Sequence, residues 1–208
     1  MSLLITFEGI DGSGKSTQVE RTRQWLTDRG FDVLVTREPG GSELGEAIRE
    51  ILLNPHWKTM TSRTEFLLYS ASRAQVVDEI IRPHLNKRSG AVIVDRFDDS
   101  STAYQGGGRE LGLEDVEQVN RFATGNLTPD LTLVLDVDWE TSRRRMGMTG
   151  DSPDRLESNP RDFFERTRQA YHDLCTKHPD RMHLIDATRA VDEVFIEICS
   201  LLEPRIRL

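Results

Sequence analysis

The chain has 208 residues, enough for one domain of moderate size, and its 37% hydrophobic and 30% charged residues describe a globular protein, neither disordered nor fibrous. With 27 Lys and Arg against 35 Asp and Glu the formal charge is −8, which excludes a blanket electrostatic hold on DNA or RNA but leaves room for a locally basic site that takes small anions. Cys175 and Cys199 are too few for a disulfide framework and read as buried small hydrophobes; no apolar run reaches membrane-spanning length, and the N-terminus lacks a signal-peptide pattern, so a cytoplasmic location is expected.

In chain order, residues 3–7 read as a buried strand, followed by a helix over 16–29 with Val19, Trp25 and Leu26 on one side and Gly30 as its stop. A second strand over 31–36 precedes a helix over 42–53, where Leu44, Ile48, Ile51 and Leu52 fall at helical spacing before Asn54-Pro55. A long helical pattern over 63–86 is expected to bend at Pro83. Residues 91–95, 131–137 and 182–186 supply three further strands, the first apolar until its final carboxylate, Asp95. Helices are expected over 113–124, 139–146, 160–177 and 191–203, the third capped by Asn159 with Pro160 in its first turn. Without repeats, low-complexity tracts or linkers, a single domain over 1–208 is expected. Uniformly apolar strands alternating with helices predict an α/β fold with a five-stranded parallel sheet covered on both faces. Ligands of such sheets sit at the carboxyl ends of the strands, which places Asp95 and the glycines after Phe7 on one edge.

Those glycines belong to Gly9-Ile10-Asp11-Gly12-Ser13-Gly14-Lys15-Ser16, a complete G-x-x-x-x-G-K-[ST] between a strand and a helix. Its backbone N–H groups and the helix N-terminus suit phosphate oxygens, so Gly9 through Ser16, with Thr17, are expected to bind ATP. Lys15 would reach the β- and γ-phosphates and the Ser16 hydroxyl would ligate Mg²⁺. The guanine-recognition pattern Asn-Lys-x-Asp is absent. Arginines instead fall where the cleft is expected: Arg37, Arg49, Arg73, Arg96, Arg143-Arg144-Arg145 and Arg155. Transfer between two anionic nucleotides needs many cations, and arginine's planar fork suits phosphate. Asp98-Asp99 reads as an exposed acidic pair in a loop, and none of the five histidines falls in a metal-ligand pattern.

The strings Phe7-Glu8-Gly9-Ile10-Asp11-Gly12-Ser13-Gly14-Lys15-Ser16-Thr17-Gln18, Thr36-Arg37-Glu38-Pro39-Gly40-Gly41, Asp95-Arg96, Tyr104-Gln105-Gly106-Gly107-Gly108-Arg109, Pro129-Asp130-Leu131-Thr132 and Asp154-Arg155-Leu156-Glu157 together resemble the bacterial thymidylate kinases, in family order and over nearly the whole chain. The resemblance implies a three-layer P-loop NTPase fold with a short lid over about 143–157, a homodimer without nucleic-acid or membrane partners, and transfer of the γ-phosphoryl of MgATP to dTMP, giving dTDP and ADP for dTTP biosynthesis. Carried over by position, Asp11 would bond the acceptor's 3′-hydroxyl, Arg49 and Arg96 would grip its phosphate, and Asp95 would help position Mg²⁺. Arg73 would donate to O4 of thymine with Tyr69 against the base, Ser101 and Gln105 would contact base or sugar, and Tyr104 would lie beneath C2′. Glu38-Pro39 matches the turn lining the acceptor site, with a strained or cis peptide. Because Gly12-Ser13 carries no arginine, the resemblance places the catalytic arginine in the lid, with Arg144, Arg145 and Arg155 as candidates. Gly147 and Thr149 stand where relatives often have further arginines, and Gly147 with Gly150 suits a moving lid. Phe97, where the family often has Tyr or His, leaves open another deoxypyrimidine monophosphate such as a 5-substituted dUMP, and the sparse lid leaves open a non-catalytic nucleotide-binding regulator.

Overall fold

The computed structural model describes residues 2–147 and 154–206. Strands β1 (Leu3–Glu8), β2 (Asp32–Arg37), β3 (Gly90–Asp95), β4 (Leu131–Asp136) and β5 (Met182–Asp186) form one parallel sheet in the order β2-β3-β1-β4-β5. The all-apolar runs lie in the middle: every residue of β1 is buried, whereas the edge strand β2 is partly exposed along its length. Register pairs Leu3 with Ala91 and Ile5 with Leu131, so β1 is hydrogen-bonded on both sides.

Helices α1 (Lys15–Thr27), α2 (Glu43–Leu53), α3 (Ser62–Val76), α4 (Arg82–Leu85), α5 (Asp98–Ser101), α6 (Leu113–Ala123), α7 (Trp139–Gly147), α8 (Arg161–Lys177) and α9 (Val191–Ile206) surround the sheet. Alternation along the strands divides the core. Leu4, Val92 and Val94 pack with Val76, Val77 and Ile81, while Leu3, Ile5, Ala91 and Ile93 join Val19, Leu26 and Ile198 of α1 and α9. The expected α/β architecture, a five-stranded parallel sheet covered on both faces, is therefore present. No helix among the described residues is long and apolar enough to cross a membrane.

Several local expectations are corrected. The helical pattern over 63–86 changes geometry before its proline: α3 passes into a π-helical turn, Val77–Ile81, and Pro83 opens α4. Proline has no N–H for the carbonyl four residues back, and a widened turn accommodates that loss. The segment after β3 is helical throughout, with α5 running into a π-helix over Thr102–Gly108. Its Gly106-Gly107-Gly108 run hides this in the sequence, and packing supplies what propensity lacks: a Cβ at Gly107 would lie 2.6 Å from the Cβ of Ala170 on α8. Asp98-Asp99 is not an exposed loop pair. Asp99 is buried and takes both arms of Arg181 at 2.7 and 2.9 Å, while burial and the neighbouring Asp99 push the Asp98 carboxyl up to about 8. Pro160, not Asn159, occupies the N-cap position of α8, and the Asn159 side chain bonds Arg109 and Leu156 O instead. α9 continues through Pro204 to Ile206, and both cysteines are half-buried rather than buried.

Candidate active site

At the carboxyl end of the sheet, β1 delivers the chain into the glycine loop and α1 leaves it. Gly12 holds a φ of 74°, and a Cβ there would come within 2.7 Å of Ser142 O, so α7 lies directly on the loop. Ser142 Oγ also donates to Asp11 O at 2.7 Å. Lys15 folds back to donate to Gly9 O and Ile10 O at 3.1 and 3.2 Å, leaving the loop poised around a cation. Burial, and then the repulsion of Arg96, lower the Lys15 ammonium to about 8. The adjoining cavity has about 530 Å³ of free space and is lined by Gly12, Gly14, Ser16 and Thr17 of the loop and by Asp95 at the end of β3. Ile10 points away into the core, and Ser13 is buried in the turn.

A second, tighter cavity of about 80 Å³ lies beside the first and is walled by Tyr69, Arg73, Phe97, Ser101, Tyr104 and Gln105. The peptide between Glu38 and Pro39 on its rim is cis, and Arg49 Nη1 donates to Pro39 O at 3.0 Å. Arg73 is wholly buried and bonded within the protein: Nε reaches Glu38 at 2.7 Å, Nη1 reaches Asn120 at 2.7 Å, and Nη2 reaches Phe97 O and Ser101, both at 3.0 Å. Burial drives the Glu38 carboxyl up to about 7 despite that partner. Tyr69 has two neighbourhoods, the small core with Ile48 and Leu52 and the cavity wall.

Asp11, Glu38, Arg49 and Arg96 line both cavities, so the two spaces meet at a shared wall of charge. Arg96 sits at its centre with a φ of 70°, donating to Gly9 O at 2.8 Å and to Asp11 Oδ1 at 2.6 Å, with its guanidinium 5.1 Å from the Tyr104 ring centre. Burial alone would raise the Asp11 carboxyl, but Arg96 and Lys15 outweigh it and hold Asp11 below the usual carboxylate range. Asp95 Oδ1, Glu38 Oε1 and Tyr104 Oη are buried without a hydrogen-bond partner among the described residues, and all three belong to cavity-lining side chains. Orphaned polar atoms gathered at one place are what a ligand-binding centre shows when only protein atoms are counted.

The lid candidates separate. Arg145 faces the glycine loop, with Nη1 3.3 Å from Gly12 O and Nη2 2.9 Å from Ala187 O, and it lines the larger cavity. Arg144 turns to Thr141 at 3.3 Å, and Arg155 lies at a different wall, with Leu52 O at 2.7 Å and Glu65 at 2.6 Å. Thr149 and Gly150 lie outside the described residues. Three supporting residues escaped the sequence reading. Glu8, wholly buried, accepts Phe97 N at 2.7 Å, Tyr171 Oη at 2.7 Å and the Ser100 hydroxyl. Asn120 holds Arg73, and Glu65 holds Gln105. One signal was available, since Glu65, Tyr69 and Arg73 recur every four residues and so share a helix face.

A family model described as thymidylate kinase matches residues 7–198. Thymidylate kinases from Thermosipho africanus and Pelotomaculum thermopropionicum are 46% and 47% identical, covering 99% and 96% of this chain and 100% and 92% of their own. A solved structure of thymidylate kinase from Ehrlichia chaffeensis superposes with a TM-score of 0.78 at 32% identity, over 97% of this chain and 98% of that one. With a glycine loop beside a second, tighter cavity and this likeness running along almost its whole length, the chain belongs to the thymidylate kinase family and is a nucleoside monophosphate kinase, a phosphotransferase.

Proposed function

We propose that this chain transfers the γ-phosphoryl group of MgATP to dTMP, giving dTDP and ADP in dTTP synthesis. The observation that carries the reading is the shared wall of Asp11, Glu38, Arg49 and Arg96: two cavities meet across one arginine cluster, as an in-line transfer between two phosphates requires. The triphosphate occupies the larger cavity along the Gly9–Thr17 backbone with Lys15 on its terminal phosphates. The acceptor nucleotide occupies the smaller one, phosphate toward Arg49 and Arg96 and base toward Arg73 and Gln105, with Tyr69 against the ring, Ser101 nearby and Tyr104 under the sugar. Asp11, whose Oδ1 holds Arg96, meets the sugar hydroxyl through its second oxygen.

The acceptor's phosphate oxygen is anionic at neutral pH, so no strong general base is needed; orientation and charge neutralisation perform the catalysis. Arg96 is fixed by Gly9 O and Asp11 and cannot swing away from the junction. Arg145, the candidate that lines the triphosphate cavity, stabilises the transferring group, with Arg144 and Arg155 in supporting places. Mg²⁺ fits this donor set, since Ser16 and the orphaned Asp95 Oδ1 share the cavity and phosphate oxygens would complete the sphere. Among the described residues no cluster of three or more His, Cys, Asp or Glu is placed to hold a metal by itself. The bound ion would neutralise charge on the phosphates.

The chain acts as one catalytic domain in the cytoplasm and as a homodimer. Exposed Leu67 on α3 and Phe122 on α6 supply apolar surface for pairing, and light scattering reads the mass. A steady-state panel of dTMP, dUMP, 5-hydroxymethyl-dUMP and dCMP tests the acceptor: dTMP is expected to give the highest kcat/KM. A higher value for a 5-substituted dUMP would transfer the assignment to that nucleotide.

A further inference from the structure

Gln105 reaches the base end of the acceptor cavity, but an amide can present either an oxygen or an NH2 group, and the two read opposite base edges. Here the choice is forced from behind. Gln105 Nε2 donates to Glu65 Oε1 at 3.0 Å. Glu65 is buried on α3 and gripped from two sides: Arg109 donates to both its oxygens, at 3.1 and 3.0 Å, and Arg155 donates to Oε2 at 2.6 Å. Burial alone would raise this carboxyl, but the hydrogen bonds and charge of Arg109, with help from Gln105 and Arg155, hold it below its ordinary range. It is therefore a carboxylate that can only accept. Arg155 is itself fixed by Leu52 O and through its backbone N–H to Leu53 O at 3.2 Å, so the carboxylate cannot rotate to release the amide.

We propose that Glu65 is a positioning residue for base specificity: it takes the Gln105 amide N–H and thereby turns Gln105 Oε1, which makes no hydrogen bond among the described residues, toward the base as a fixed acceptor. Arg73 complements it. Four of the guanidinium's hydrogen-bond contacts are made within the protein, and one Nη1–H is left over for the cavity. An acceptor beside a donor matches a pyrimidine with N3–H and a 4-oxo group. It mismatches cytosine, whose N3 accepts and whose 4-amino group donates. Rejecting a base by leaving buried polar groups unpaired is the strong form of discrimination.

This inference rests on the acceptor reading given above, and the test separates the two. In Glu65→Gln, the new amide can donate to Gln105 Oε1, which lets Gln105 present its NH2 group instead. With circular dichroism confirming the fold, KM for dTMP is expected to rise at least about tenfold, with kcat at saturation within about threefold. The dTMP-to-dCMP ratio of kcat/KM should fall about tenfold or more, and KM for ATP should stay unchanged. A folded E65Q with an unaltered dTMP-to-dCMP ratio overturns the role of Glu65, as does an equal loss for both nucleotides. If E65Q does not fold, Arg109→Gln decides: it loosens Glu65 while leaving Arg155, so the same ratio should drop several-fold, and an unaltered ratio overturns the proposal. Absence of dTMP turnover in the unmodified enzyme would instead overturn the acceptor reading.

Discussion

Individual residues in this cleft are tuned by burial. Lys15 holds its proton only to about pH 8 while it contacts Gly9 O and Ile10 O, and a bound triphosphate needs the ammonium. ATP affinity, measured by titration calorimetry, should therefore be flat below about pH 8 and weaken above it, by up to about tenfold per pH unit, with proton uptake on binding. A constant affinity up to pH 9.5 or so would contradict that assignment. Glu8 is shifted the other way, from 4.5 up to about 7, chiefly by burial and then by Asp99. Between those values the folded protein keeps a proton that the unfolded chain has lost, so stability falls as pH rises through the window and levels off above about 7. Glu38 has the same sign. Denaturation curves from pH 4.5 to 7.5 or so should show Glu8→Gln losing part of that slope, of order 1–3 kcal/mol over the window. Equal slopes for the two proteins would mean that Glu8 ionises normally.

At the scale of elements, legibility followed burial pattern. The five strands could be read because their apolar runs have no helical period, and α2 because Ser42 caps it, accepting Gly45 N at 3.1 Å, ahead of a clear stripe. The helical stretch after β3 could not, since three glycines oppose it locally and tertiary contacts hold it in place: α8, the buried Glu8 and Arg181 contacts, Arg73 on Ser101 and Asn120 on Thr102. The glycine loop and Arg96 were visible as motif. Glu65 was legible only as a position sharing a helix face with Tyr69 and Arg73, and Asn120 not at all, because a buried polar residue near a helix end has no partner to name until the fold brings Gln105 or Arg73 to it. α7 lies against the loop through Ser142 and Gly12, which puts Arg145 and not Arg155 at the larger cavity. Arg145→Met should therefore lower kcat by about 10²–10³-fold with little change in KM for dTMP, whereas Arg155→Met should chiefly raise that KM. The reverse pattern in steady-state kinetics would move the catalytic role to Arg155.

Over the whole molecule the charge of −8 is an average over the surface that conceals the cleft. Around the larger cavity stand Lys15, Arg37, Arg49, Arg96 and Arg145 against the three acidic side chains of Asp11, Glu38 and Asp95, so an acidic protein carries a cationic pocket suited to anions. The sheet order has a consequence of another kind. β1 is made before both of its neighbours, β3 and β4, with Leu3 waiting for Ala91 and Ile5 for Leu131. A buried strand with both edges open must therefore persist until β3 and β4 have been made. Refolding from denaturant should be slow, and the yield should drop as protein is raised from about 1 to about 20 μM, with light scattering from aggregates. Complete recovery at every concentration would show that β1 is shielded early. Placing the phosphate loop on the central strand thus means that the part of the sequence that defines the enzyme is also the part most exposed to misassembly during its synthesis.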